Sequence, residues 1–225
     1  MKSLIDNARS FAATHVAAPH NAAAFQALGA GQSPEALFIT CSDSRVVPTL
    51  ITGARPGELF ELRTAGNVVP PYPSRNSRNS RNSHDSRDDV SRESRPMSEA
   101  ATIEYAVCVL GVRDIVVCGH SHCGAVGALL RGEDLSAVPA VRDWLDHSVP
   151  PDAPLRTLVP ASADVAEAVQ THVLAQVERL RAYPCVTERI DDGSLNLHAW
   201  YYEVHTGAVT AHRPSFDDRP AFGPL

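Results

Sequence analysis

The stretch Val116-Val117-Cys118-Gly119-His120-Ser121-His122-Cys123-Gly124-Ala125 decides the fold prediction. A short apolar run rich in β-branched residues leads into a cluster of imidazole and thiol groups, and small residues follow. This order predicts a buried strand, a ligand-bearing loop and the start of a helix. A second stretch of this kind lies upstream, where the run from Leu37 to Thr40 leads into Cys41-Ser42-Asp43-Ser44-Arg45. Two strands are therefore predicted to end in potential metal ligands.

Composition indicates an ordinary globular protein. The chain has 225 residues, of which 44% are hydrophobic and 20% charged, which suffices for one well-formed core. A net charge of -6 argues against a nucleic-acid partner. No apolar run approaches the roughly 20 residues of a membrane span, and the start lacks the apolar core of a secretion signal. Five cysteines, an odd number, favour reduced thiols over a disulfide framework, so we expect a cytoplasmic protein.

Strand and helix patterns alternate along the chain. The run from Ala36 to Thr40 is apolar without alternation, as expected of a parallel strand covered on both faces. The most strongly periodic helix is predicted from Val165 to Ala182, and the alternation after Leu195 predicts a last strand with a hairpin partner at the sheet edge. We therefore predict an α/β fold with a central, mostly parallel sheet flanked by helices, whose ligands lie beyond the carboxyl ends of the strands.

The domain organisation is predicted from changes in composition. Residues 1–28 show helical spacing in two pieces, interrupted at Pro19, and indicate an N-terminal helical arm. Residues 29–225 form the predicted catalytic domain. Within it, 74–95 contains three Ser-Arg-Asn repeats and a mixed-charge run, which predicts a disordered loop because it cannot bury enough apolar surface. An arginine-rich docking element or a lid over the site are the functional alternatives.

The cysteine and histidine clusters predict a zinc site. Catalytic zinc typically has three protein ligands and one open position, and Cys41, His120 and Cys123 supply three. His122 competes with His120, and spacing alone does not separate them. A closed structural zinc site is the alternative, although the paired ligand spacing of zinc ribbons is missing here.

The sequence gives weaker signals for the other three cysteines and for a nucleophilic role of Cys41. Three cysteines have apolar neighbours in the sequence and are expected to be small buried hydrophobic residues, namely Cys108, Cys118 and Cys185. A nucleophilic Cys41 with Arg45 as anion binder is disfavoured, because the three residues between them are too few for the anion cradle of a cysteine phosphatase.

The two motifs together resemble those of the β-class carbonic anhydrases. Cys-Ser-Asp-Ser-Arg begins at Cys41, Gly-His-Ser-His-Cys-Gly begins at Gly119, and the likeness extends roughly from Gly29 to His212. The resemblance implies an enzyme that interconverts carbon dioxide and bicarbonate with one zinc ion per chain. It implies Cys41, His120 and Cys123 as the ligands, which resolves the choice against His122. It also implies a homodimer or homotetramer in which helical arms embrace the neighbour.

The chemistry of such a site assigns roles to Asp43 and Arg45. Zinc lowers the pKa of a bound water from about 15.7 toward ~7, which creates hydroxide at neutral pH. Two thiolates weaken this effect, so activity is expected to rise toward alkaline pH. Asp43 is expected to accept the hydroxide's proton in a hydrogen bond, and Arg45 to keep Asp43 ionised and oriented. In some relatives this aspartate moves onto the metal and closes the site, and the sequence leaves that alternative open.

The resemblance also implies a substrate pocket. Gln32 and the Gly124 amide would donate hydrogen bonds to substrate oxygen, and Phe60 and Tyr105 would line an apolar pocket for an uncharged gas. Two alternative functions remain. Carbonyl sulfide or carbon disulfide could replace carbon dioxide as substrate, or the chain could be a catalytically silent zinc-binding subunit. The Asp43–Arg45 pair argues against the silent subunit, because a purely structural role does not need it.

Overall fold

A six-stranded sheet lies at the centre of the protein. The computed structural model describes residues 1–72, 98–149, 165–213 and 221–225, so the insertion predicted over 74–95 lies outside the described residues. The strands are β1 Ala36–Cys41, β2 Leu59–Thr64, β3 Asp114–His120, β4 Asn196–Tyr202, β5 Val209–Arg213 and β6 Ala221–Pro224. Their order across the sheet is β2-β1-β3-β4-β5-β6.

Helices precede, connect and flank these strands. They are α1 Lys2–Phe11, α2 Ala22–Leu28, α3 Pro48–Thr52, α4 Ser98–Glu104, α5 Gly124–Arg131, α6 Pro139–Ser148, α7 Ala166–Leu180 and α8 Pro184–Asp191. Wider π-helical turns extend α1 over Ala12–Val16 and α4 over Tyr105–Val109, and a 3-10 turn over Ala65–Asn67 follows β2. Among the described residues, no helix is long and apolar enough to cross a membrane.

Strand pairing confirms the predicted α/β fold. The four strands from β2 to β4 are parallel neighbours, whereas β5 and β6 are antiparallel. Cys41 is in register with Thr64, and Thr40 is in register with Cys118. Because parallel strands end at the same edge of a sheet, the last residues of β1 and β3 lie close together. This edge carries the two motifs on which the sequence analysis rests.

Both faces of the sheet are apolar, as the continuous hydrophobic runs require. Helix α7 contacts β3 and β4 and buries a stripe of seven residues at helical spacing: Ala168, Val169, His172, Val173, Gln176, Val177 and Leu180. On the opposite face, Phe38, Val116 and Cys118 form a smaller cluster, and the Trp200 ring packs edge-on against Phe38. The main core therefore lies between the sheet and α7.

Gly119 permits the close approach of α7 to β3. A Cβ atom at this position would lie 2.5 Å from Val169 Cγ1 and 2.6 Å from Val173 Cγ2. Gly119→Ala should therefore lower the free energy of unfolding by about 1–3 kcal/mol through overpacking, measured by urea denaturation. Gly223→Ala is the control, since no atom of the described residues lies within 4 Å of its added Cβ. Equal stability of the two variants would contradict this packing.

Two elements were absent from the sequence prediction. Helix α8 has only eight residues and begins at Pro184, and β6 has four residues. Such short elements do not contain enough residues to show a repeating hydrophobic pattern, although proline in the first turn of α8 is a typical start signal.

The predicted helices of the arm are confirmed as α1 and α2, and none of residues 1–28 is buried.

Candidate metal centre

Three potential metal ligands converge at the carboxyl edge of the sheet. Cys41 ends β1, His120 ends β3, and Cys123 directly precedes α5. Their ligand atoms all lie within 4.8 Å of one another, and all three residues are buried. Two thiolates and one imidazole at such a spacing can occupy three corners of a tetrahedral zinc site and leave the fourth open.

The His120 ring is oriented for metal binding. Its Nδ1 lies 2.9 Å from the Ser121 carbonyl oxygen, which can only accept, so Nδ1 carries the proton. Nε2 then presents its lone pair, yet this fully buried atom has no hydrogen-bond partner among the described residues. A buried acceptor without a partner is costly, and a metal ion would satisfy it. A histidine that binds a metal through one ring nitrogen typically donates a hydrogen bond from the other, as His120 does here.

The two thiols are prepared to bind as thiolates. Cys41 and Cys123 are hydrogen-bonded to each other, and this contact lowers the pKa of Cys41 and raises that of Cys123. The backbone N–H groups of Asp43 and Gly66 also donate to Cys41, and those of the first turn of α5 donate to Cys123. Without a cation the pair holds one proton, because two adjacent buried thiolates repel each other. The donor set therefore fits a zinc ion.

Asp43 and Arg45 form a rigid bidentate pair beside these ligands. Arg45 Nε donates to Asp43 Oδ1 at 2.9 Å, Nη2 donates to Oδ2 at 2.7 Å, and the Arg45 backbone N–H donates to Oδ1 at 2.9 Å. These donors hold the pKa of Asp43 well below its usual range. Oδ2 also lies 3.9 Å from His120 Nε2. An ionised carboxylate is thus fixed at the mouth of the metal centre.

The residues that build this centre belong to a recognised family. A profile described as carbonic anhydrase matches residues 36–209, which is more than half of the chain. The chain belongs to the carbonic anhydrase family. The predicted β class is also confirmed, because the structure of the beta-carbonic anhydrase CcaA superimposes with a TM-score of 0.81 and 33% identity. That superposition covers 100% of this chain and 99% of the other.

Further relatives give the same result. A carbonic anhydrase of Pseudomonas aeruginosa is 41% identical over 94% of this chain and 87% of its own length. One from Synechococcus elongatus is 38% identical over 97% of this chain and 74% of its own length. Tetrameric beta-carbonic anhydrases from Sordaria macrospora give a TM-score of 0.71 at 27% identity, covering 93% of this chain and 95% of theirs.

Arg63 holds the ligand loop of this carbonic anhydrase. Its Nε and Nη2 donate to the Cys41 carbonyl at 3.2 and 3.0 Å, and Nη2 also donates to the carbonyls of Asp43 at 2.9 Å and Val46 at 2.8 Å. One guanidinium therefore fixes three backbone positions, the last residue of β1 and two residues of the loop that follows it. This role was not predicted from the sequence. Arg63 is in register with Thr40, one residue before Cys41, and this register becomes apparent only in the folded sheet.

Helix α7 holds the turn after β2 through two buried polar side chains. His172 Nε2 lies 2.8 Å from the Gly66 carbonyl oxygen, and Gln176 Oε1 accepts from the Val69 backbone N–H at 2.9 Å. Gly66 has a φ of +74°, which favours glycine. The helix was predicted from the sequence, but no role was predicted for these two residues. The available signal in the sequence was that both polar residues stand at positions of the otherwise apolar stripe of α7, which indicates buried side chains that need hydrogen-bond partners.

Stability should decrease in acid because of His172. Burial lowers the pKa of His172 from 6.5 to about 4, so the folded protein keeps this ring neutral while the unfolded chain protonates it. The free energy of unfolding is unaffected by this group above pH 6.5, and it falls by about 3 kcal/mol in total as the pH decreases toward 4. His172→Gln should flatten this part of the dependence, measured by urea denaturation at several pH values. Replacing the exposed His15 by glutamine is the control, and an unchanged slope in His172→Gln would contradict the assignment.

The four predicted pocket residues do not gather around one metal centre within a single chain. Gly124 directly follows Cys123. Phe60 is in register with Leu37, whereas Cys41 is in register with Thr64. Phe60 lies four residues before Thr64, which corresponds to about 13 Å along β2. The Tyr105 and Phe60 rings lie 5.9 Å apart, and Gln32 is exposed ahead of β1. Gln32, Phe60 and Tyr105 therefore belong to the amino-end side of the sheet.

The expectation for the other three cysteines was partly wrong. Cys118 is fully buried in β3, as predicted. Cys108 is exposed and Cys185 is only half-buried. Both lie on short helical segments at the surface of the core, where apolar neighbours in the sequence point inward while the cysteine points outward. His122, the alternative ligand, has a φ of +56° and is not part of the group of converging ligands.

Proposed function

We propose that the protein catalyses the reversible hydration of carbon dioxide to bicarbonate and a proton. Zinc would be held by Cys41, His120 and Cys123, with one ion per chain. One observation carries the proposal: the buried His120 Nε2 has no hydrogen-bond partner in the described part of the chain, and it lies close to two thiols and to the ionised Asp43 carboxylate. Zinc bound at such a site makes water a strong nucleophile near neutral pH. Family membership and the beta-carbonic anhydrase neighbours support the same reaction.

In this proposal Asp43 orients the attacking water. Its carboxylate is an acceptor only, because Arg45 keeps it ionised. It therefore takes a hydrogen bond from the water's proton and leaves an oxygen lone pair directed at the carbon of carbon dioxide. Arg45 also donates to the His122 carbonyl at 3.2 Å, which ties this pair to the second ligand loop. The Gly124 backbone N–H would donate to a substrate oxygen.

The apolar part of the pocket would come from a second copy of the chain. Gln32, Phe60 and Tyr105 lie away from their own metal centre, and Tyr105 is 45% exposed. The arm of residues 1–28 carries Leu4, Ile5 and Phe11 at its surface, with nothing buried. Exposed apolar residues at helical spacing are typical of a helix that packs against a partner. We therefore propose a homodimer or a homotetramer.

Replacing the exposed apolar residues of the arm should weaken this assembly. The triple variant Leu4→Ser, Ile5→Ser and Phe11→Ser should shift the molar mass measured by light scattering toward that of the monomer. Val138→Ser is the control, since it removes a similarly exposed apolar side chain outside the arm. An unchanged molar mass in the triple variant would exclude the arm as the contact between subunits.

We also propose a cytoplasmic location. All five cysteines are free thiols in the structure, which suits a reducing compartment. Recovery of the native protein from an exported or membrane fraction of its cells would contradict this proposal.

Stopped-flow measurement of carbon dioxide hydration on the zinc-loaded protein tests the proposed reaction. We expect turnover that rises toward alkaline pH, since two thiolates reduce the charge of the bound ion. Carbonyl sulfide hydrolysis, followed in parallel as sulfide release, should be much slower. The opposite ratio would support the sulfur substrate, and no turnover of either compound with about one zinc per chain would support a silent subunit.

A further inference from the structure

Two cysteines outside the metal centre contact each other on the surface. Cys108 lies on the π-helical turn Tyr105–Val109, and Cys185 lies in the first turn of α8. These two segments pack together, and the Cys108 and Cys185 side chains interact, which contributes to a raised pKa of the Cys185 thiol. Arg189 Nη1, also on α8, donates to the Val107 carbonyl at 3.0 Å. The proposed mechanism uses neither thiol.

We propose that Cys108 and Cys185 form a reversible dithiol–disulfide pair that is oxidised by peroxide. Disulfide formation needs two side chains that already approach each other, because distant cysteines cannot be bridged without backbone movement. Cys108 and Cys185 meet this condition although they are far apart in the sequence. The exposure of Cys108 gives a small oxidant direct access to one of the two sulfur atoms.

The two thiols have different roles in this reaction. The exposed Cys108 thiolate attacks hydrogen peroxide, which forms a sulfenic acid on Cys108 and releases hydroxide. The Cys185 sulfur then attacks the Cys108 sulfur, which forms the S–S bond and expels the sulfenic oxygen as water. Each sulfur loses one electron in total, and the peroxide is reduced to two water molecules. Burial and the neighbouring Cys108 raise the pKa of Cys185 to about 11, which favours Cys108 as the first thiol to react.

The other three cysteines are protected from this reaction. Cys118 is fully buried inside the sheet, and burial raises the pKa of its thiol to about 12. Cys41 and Cys123 are buried and would be occupied by zinc in the loaded protein. The pair of Cys108 and Cys185 is therefore the expected first site of oxidation.

A disulfide here would restrain the segment that carries Tyr105. In the reduced protein the Arg189 hydrogen bond, the contact between the two cysteines and apolar packing hold α8 against this segment, without a covalent bond. A covalent bond would prevent the two elements from separating during local opening. Backbone amides of residues 105–112 should therefore exchange their hydrogen more slowly in the oxidised protein than in the reduced one.

Peptide mapping of the oxidised, zinc-loaded full chain tests this proposal. Trypsin should release residues 93–113, with Cys108 as the one cysteine, and residues 182–189, with Cys185 as the one cysteine. After treatment with hydrogen peroxide we expect these two peptides to be linked, two thiols to be lost per chain and the zinc content to remain unchanged. A reducing agent should restore both thiols.

Two variants keep the test specific. In Cys185→Ser, Cys108 should be oxidised to the sulfinic acid with no crosslink, and in Cys108→Ser the Cys185 thiol should remain reduced. The slower amide exchange should be missing in both variants. The proposal is overturned if 93–113 and 182–189 stay unlinked in the wild type, or if the first crosslink joins Cys41 to Cys123 with loss of zinc.

Discussion

Asp43→Asn should lower the rate of carbon dioxide hydration by about 100-fold or more while the zinc content stays the same. An asparagine has nearly the shape of an aspartate, but its amide has no charge and presents donor hydrogens to one side. The attacking water would lose the acceptor that orients it, and Arg45 would lose its ion-pair partner. Positioned proton acceptors and oriented charges typically contribute about 10² to 10⁴-fold in rate.

A matched control separates this role from a general effect of charge. Asp143→Asn removes a carboxylate that is paired with Arg142 at 2.9 Å, but this pair lies on the exposed surface of α6. Exposed pairs contribute little, so turnover and stability should match those of the wild type. Stopped-flow rates and metal analysis on both variants make the comparison. If Asp43→Asn retained full turnover, Asp43 would have no role in the reaction.

Cys123→Ala should abolish zinc binding and activity together. The substitution removes one of three protein ligands and leaves Cys41 and His120 as an incomplete set. Changes to outer-sphere partners alone cost about 10- to 100-fold in metal affinity, so the loss of a direct ligand should cost more. Zinc retained after dialysis should fall from about one ion per chain to nearly none, measured by atomic absorption.

Cys118→Ala is the control for this variant. Cys118 lies two residues before His120 in the same strand and is equally buried, but it packs against Phe38 and Val116 and is not among the converging ligands. It should keep its zinc and its turnover with a small loss of stability from the vacated volume. Zinc retained at full occupancy in Cys123→Ala would mean that other residues hold the metal.

The strands and the ligand set were predictable because they rest on local patterns. The apolar runs of β1 and β3 are too short for helices and are followed at once by polar clusters, so both strands and both loops follow from hydrophobic period and turn chemistry. The parallel arrangement then requires that the ends of these strands share an edge. Topology thus brings Cys41, Cys123 and a histidine of the second motif to one edge. The choice of His120 over His122 came from the resemblance to the β-class carbonic anhydrases and not from spacing.

The residues that orient the site were not predictable in the same way. Arg63 acts through three carbonyl groups whose positions depend on the exact register of β1 and β2. His172 and Gln176 are polar residues on a buried helix stripe, and their partners lie about a hundred residues away in the sequence. The exposure of Cys108 depends on which side of a helix faces the core, which composition does not determine. Long-range contacts of this kind appear only once the chain is folded.

Zinc titration of the metal-free protein is the decisive test of the proposed zinc centre. Carbon dioxide hydration should be at background without zinc, rise in proportion to added zinc and stop rising at one ion per chain. Cys123→Ala should show no such rise over the same range. Full hydration activity without zinc, or a rise that is the same in Cys123→Ala, would contradict a zinc centre built from Cys41, His120 and Cys123.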